Sequence, residues 1–191
     1  MDNYSVLDYV PVIGDVYRYG KIGWKIGSWL ANEDDSYNNR ILSNMIDCIN
    51  RAANSDSGVE ALNSVVEALR LVEEMDISNA KKYQLVLLFY LAARACHVYA
   101  LCLCIIDSDN LKELKKAGNA FSDAKGFCNK VWEVDKTLLT SKRELIDQIR
   151  EAANSKKTEI SESRSNWRKQ YRALYKKENP WKWYLCMWIF A

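Results

Sequence analysis

LVLLFYLAARACHVYALCLCII, residues 85–106, runs for 22 positions with only Arg94 and His97 strongly polar or ionisable. It holds neither glycine nor proline, so nothing in it interrupts a helix. A helix apolar almost all round belongs inside a bundle, enclosed by amphipathic neighbours, or in a bilayer, whose hydrocarbon core about 20 apolar residues can cross. Arg94 bears on both alternatives, because a guanidinium keeps its charge and must find a carboxylate, carbonyls or water. In lipid it would cost several kcal/mol on the milder insertion scales, whereas in a bundle it can pair or reach an edge. We read residues 80–106 as the enclosed central helix, with a membrane span as the alternative.

The flanking sequence supplies the shell that such a helix needs. Proline occurs only at Pro11 and Pro180, and no glycine lies between Gly58 and Gly118 or after Gly126. Breaks must then come from polar clusters, and four of these (32–36, 54–58, 76–79 and 107–110) carry Asp, Ser or Asn suited to capping the helix that follows. Residues 36–53 place Tyr37, Ile41, Met45, Cys48, Ile49 and Ala52 on one side, with Asn38, Asp47 and Arg51 elsewhere. Residues 59–75 repeat the pattern with Leu62, Val65, Val66, Leu69 and Val72 inward and Glu60, Glu67, Arg70 and Glu74 outward.

From residue 110 to 178 a seam continues at steps of three and four through Leu114, Phe121, Cys128, Trp132, Leu139, Ile146, Ile149, Ala153, Ile160, Trp167 and Leu174. One helix over that span would measure about 100 Å, too long for a compact unit of this size. Ser141 followed by Glu144 has the form of a capping box, and Gly118 and Gly126 weaken the earlier part, so two helices are expected. Near the start, residues 15–31 form a further helix in which Gly20, Gly23 and Gly27 make a close-packing stripe. The expected fold is an all-α, single-domain bundle over residues 1–191, with about five to six helices, a near-uniformly apolar central helix and a long amphipathic C-terminal region.

Composition narrows function mainly by exclusion. With 49% hydrophobic and 27% charged residues and a net charge of +2, the chain has material for a core and too little net charge to stay unfolded. The six cysteines mostly occupy apolar helix faces, which reads as core packing in a reducing, intracellular compartment. There is one histidine, His97, and none of the spacings that bind phosphate or dinucleotide, chelate zinc or build a nucleophile elbow. A core histidine bonded to a neighbouring helix is the simplest account of it. No catalytic, metal or cofactor-binding residue is assigned, and the expectation is a non-enzymatic protein without cofactor.

Three segments point to association. Residues 15–31 join Arg18, Lys21 and Lys25 to Trp24 and Trp29, the composition of a helix at an anionic bilayer surface or of one packed tightly through its glycines. Residues 164–182 carry seven basic residues against Glu178 alone, among them Arg168 and Arg172, with Trp167 just before them. The tail 180–191, with Trp181, Trp183 and Trp188, has Lys182 as its one charge and is too short to span a bilayer. Membrane lipid is the leading partner, approached at the surface or by insertion of the apolar helix. Another protein, met as by a soluble adaptor or assembly subunit, is the alternative, a homo-oligomer is compatible with either, and nucleic acid is disfavoured by the aromatic tail. Arg94 and His97 are expected to be buried.

Overall fold

A computed structural model describes residues 36–134 and 143–183, of Leu145 the backbone alone. Among them lie five helices and no strand: α1 Tyr37–Ala53, α2 Gly58–Glu74, α3 Lys82–Ile106, α4 Leu111–Glu133 and α5 Arg143–Glu178. The protein is an all-α bundle with an apolar central helix. The predicted helix at 15–31, Leu139, Ser141 of the proposed capping box, and the tail from residue 184 lie outside the described residues.

Helix starts follow the polar clusters, with one exception. Ser36 accepts from the Asn39 N–H, Ser57 from the Glu60 N–H, and Asn110 from the N–H groups of Lys112 and Glu113, each satisfying donors that a helix start leaves orphaned. The 76–79 cluster does not cap α3. Asp76 instead binds its own turn, accepting from the Ser78 hydroxyl and from the backbone and side-chain N–H of Asn79, which holds its carboxyl below the usual carboxylate range. The start of α3 is secured from within, where Gln84 Oε1 accepts the Lys81 N–H at 2.8 Å. Buried Gln84 then donates to Asn39 Oδ1 at 2.7 Å and to Ser36 Oγ at 3.3 Å, tying α3 to the first turn of α1.

Helix α3 packs on α1, α2, α4 and α5. Val86, Leu87, Leu88, Tyr90 and Leu91 meet Ile41, Leu42, Met45 and Ile49 of α1, Leu71 of α2 and Ile146, Ile149 and Ala153 of α5. Further along, Ala93, Cys96, Ala100 and Leu103 meet Ala117, Phe121, Ala124 and Cys128 of α4 and Ile160 of α5. A third cluster sets Cys102 against Ala52, Ala61 and Val65. Burial of this many aliphatic side chains, each contributing roughly 1.5–3 kcal/mol, is what holds the helices together. Although α3 is long and apolar enough to cross a membrane, 67% of its most apolar stretch is buried in the bundle. That matches the enclosed reading.

Several orientations differ from expectation. Tyr37 and Val66 were assigned inward and are 55% and 48% exposed, whereas Asn38 is buried and pairs reciprocally with the backbone of Asp76, at 3.0 and 3.2 Å. Arg94 is half-buried, as an edge-seeking guanidinium on an apolar helix would be, and not enclosed as expected. Gly118 and Gly126 do not break α4, which runs on to a C-cap at Val134. Across the α4–α5 junction, buried Arg150 donates through Nη2 to the Val134 carbonyl at 2.9 Å and lies 5.8 Å from the centroid of Trp132. A cation is favoured at that helix C-terminus, and Trp132, a predicted seam residue, covers it while staying 37% exposed.

Candidate functional site

Helix α5 has 36 residues, about 54 Å at 1.5 Å per residue, and packs on α3 and α4. Its sequence separates into faces with different duties. The inner face is the predicted seam, with Ile146, Ile149, Ala153, Ile160 and Leu174 all buried. Between the apolar positions sit polar residues at the same helical spacing: Lys156, Glu159 and Ser163. Lys156 is buried and forms a short ion pair with Glu159.

These residues meet His97 of α3. His97 Nε2 lies 3.0 Å from Ser163 Oγ and Nδ1 lies 3.9 Å from Glu159 Oε1. Burial, with the Lys156 charge as a second contribution, pushes the imidazole down to about 3, so it is neutral at physiological pH. His97 is therefore the buried polar residue expected, bonded to a neighbouring helix. The sequence reading did not identify Ser163, Glu159 or Lys156 as its neighbours. Their signal was available as polar residues in phase with an apolar seam.

One turn further, Trp167 locks α5 onto α4. Its indole N–H donates to the Leu114 carbonyl at 2.7 Å, and its six-membered ring occupies the space above Gly118, where a Cβ would come within 2.2 Å of Cζ2. Gly118 is thus a close-approach site and not a weak point of α4. From here the rings continue outward: Phe121 to Trp167 at 6.3 Å, Trp167 to Tyr171 at 5.7 Å, and Tyr171 to Tyr175 at 6.2 Å between centroids. Trp167, expected to contact a membrane or partner, is turned inward instead, because its one donor and much of its ring are satisfied within the bundle.

The outer face of α5 is different. Arg168, Lys169, Arg172, Lys176 and Lys177 are exposed, and beyond Asn179 a further helical turn presents Lys182 and a Trp181 that is 83% exposed. Trp183 is half-buried, its backbone N–H donating to the Asn179 carbonyl. Arg168, Arg172 and Trp181 are each exposed in this C-terminal stretch. Arg18, Lys21, Trp24, Lys25, Trp29 and Trp188 lie outside the described residues.

Beside the Trp167 lock, the end of α3, the following turn, α4 and α5 enclose a cleft of about 430 Å³. Leu101, Cys104 and Ile105 form one wall and Phe121, Ser163 and Trp167 the other, and Gln170 closes one side by donating to the Cys104 carbonyl at 3.0 Å. No group of three or more His, Cys, Asp or Glu side chains converges among the described residues. Cys48, Cys96, Cys102, Cys104 and Cys128 form no disulfide, and burial pushes Cys96 and Cys104 up to about 12 and Cys102 and Cys128 up to about 11. Thiols held protonated in this way are poor nucleophiles and poor ligands. No protein-family model matches the chain, and no curated protein or solved structure shows significant similarity to it.

Proposed function

We propose that this chain is a non-enzymatic helical-bundle protein that acts by association, docking on anionic membrane surfaces through the outer face of α5. One observation carries the reading: the stretch from Arg168 to Lys182 holds six exposed cations, opposed only by Glu178, together with a nearly fully exposed Trp181. Basic residues near an anionic leaflet contribute about 1 kcal/mol each, and an indole settles at the headgroup level where its ring and its N–H are both accommodated. The peripheral mode leaves α3 in place. Insertion of α3 would require the bundle to open and three apolar clusters to separate, so it is not part of the proposal.

Flotation with vesicles tests it. The full chain is expected to float with vesicles containing about one-third phosphatidylserine at low salt, to be released as salt is raised, and to ignore pure phosphatidylcholine. Arg168→Glu with Arg172→Glu and Lys176→Glu should abolish flotation while the helical circular-dichroism signal and melting temperature stay near wild type. Absence of flotation with anionic vesicles would overturn the proposal.

A second reading, as a soluble adaptor, has one observation in its favour. Val59 and Val66, seven residues apart on α2, are 56% and 48% exposed on a common helix face. Under that reading, Val59→Ser with Val66→Ser removes partner binding and leaves vesicle binding unchanged.

A further inference from the structure

The cleft beside Trp167 is distinct from the basic surface of α5, and its chemistry can be specified. Its volume of about 430 Å³ falls in the range of small-molecule sites, and its walls are chiefly Leu101, Ile105, Phe121 and the Trp167 ring. Among the described residues no Asp, Glu, Lys or Arg lines it. A charged ligand would lose its hydration there without gaining a counter-charge, so the occupant must be uncharged. Phe121 is fully buried behind the Trp167 ring, inclined to it at 52° with the centroids 6.3 Å apart, so the aromatic surface open to a planar occupant is that of half-buried Trp167.

The Trp167 N–H is occupied by the Leu114 carbonyl, and one of the two Gln170 amide N–H groups by the Cys104 carbonyl. Ser163 Oγ is hydrogen-bonded to His97 Nε2 at 3.0 Å, and in either tautomer of the ring the hydroxyl oxygen keeps a lone pair beyond that bond. That lone pair remains for an occupant of the cleft, which Ser163 lines. Ser108 and Asn166 also line the cleft, where both reach solvent.

We propose that this cleft binds a small, uncharged aromatic molecule carrying one hydrogen-bond donor, of the phenol or indole class, its ring against Trp167, Leu101 and Ile105 and its donor on Ser163 Oγ. Trp167 thereby serves two purposes, fixing α5 to α4 and forming a wall of the site.

The test pairs 2-naphthol with its methyl ether, 2-methoxynaphthalene, which keeps the ring and lacks the donor. Binding to the full chain is followed by calorimetry without lipid, so the result is independent of vesicle docking. Wild type is expected to bind 2-naphthol saturably and about five- to tenfold more tightly than the ether, the difference one hydrogen bond makes. Ser163→Ala should bring the two affinities together. Leu101→Trp should fill the cleft and remove binding of both while helicity is retained, and Ile105→Trp on the same wall serves if the first variant unfolds. Absence of saturable 2-naphthol binding, equal affinity of wild type for both compounds, or undiminished binding by a folded, cleft-filled variant would each overturn the proposal.

Discussion

At the scale of single residues, the two glycines of α4 make opposite predictions. A Cβ at Gly118 meets the Trp167 ring, which cannot withdraw without breaking its bond to the Leu114 carbonyl. Gly118→Ala should therefore destabilise the protein by about 1–3 kcal/mol in denaturant titrations, and Trp167→Leu in the same chain should relieve much of that penalty. Gly126 has open space around its α-carbon, so Gly126→Ala should stabilise by about 0.5–1 kcal/mol through helix propensity alone. His97 makes a third prediction. Its folded-state value is depressed, from 6.5 to about 3, so the neutral ring stabilises the fold fully above about pH 6.5. As pH falls from 6.5 toward 3 the unfolded state takes up a proton that the folded state resists, and on the order of 4 kcal/mol of stability is lost across that window. Urea titrations at pH 7 and pH 4.5 should show this loss in wild type. Much less should be lost in His97→Gln, which lacks the titrating ring; equal pH sensitivity in the two would sink the assignment.

At the scale of the elements, Gln84 is the residue on which α3 depends for its start. It takes the place of an N-cap by accepting the Lys81 N–H, and it reaches α1 through Asn39 and Ser36. Gln84→Met keeps the volume and removes both functions, leaving the Lys81 N–H and the Asn39 carbonyl oxygen without those partners. The expected loss is about 1–3 kcal/mol, with hydrogen exchange accelerated first in the opening turns of α1 and α3. The 76–79 cluster was expected to perform this capping and instead stabilises its own turn. A capping residue must sit at the position where the helix begins, and that position was set here by where Tyr83 and Val86 enter the core.

At the scale of the whole molecule, α3 contributes to all three apolar clusters, so a defect at one end should be felt at the other. Leu88→Ala, a fully buried truncation in the first cluster, should lower stability by about 2–5 kcal/mol. Exposure of the buried thiols of Cys48, in the first cluster, and Cys128, in the second, followed by their reactivity in denaturant, should then move together to the same lower midpoint. Separate midpoints would show that the two ends of the bundle unfold independently. Vesicle docking belongs to this scale as well, because the cations on α5 act as a summed field, and its salt dependence should weaken stepwise as they are reversed one at a time.

The sequence by itself determined the helical class, the apolar identity of α3, and the inner face of α4 and α5, where Leu114, Phe121, Cys128, Ile146, Ile149, Ala153 and Ile160 are buried as their spacing requires. Those properties are local, since a period of 3.6 residues and the absence of proline are visible in one stretch of chain at a time. Tertiary structure alone decided that Trp167 turns inward over Gly118, that Ser163 and Glu159 face His97, and that a cleft opens where α3, α4 and α5 meet. Each of these depends on the register of one helix against another, which periodicity within a single helix does not encode.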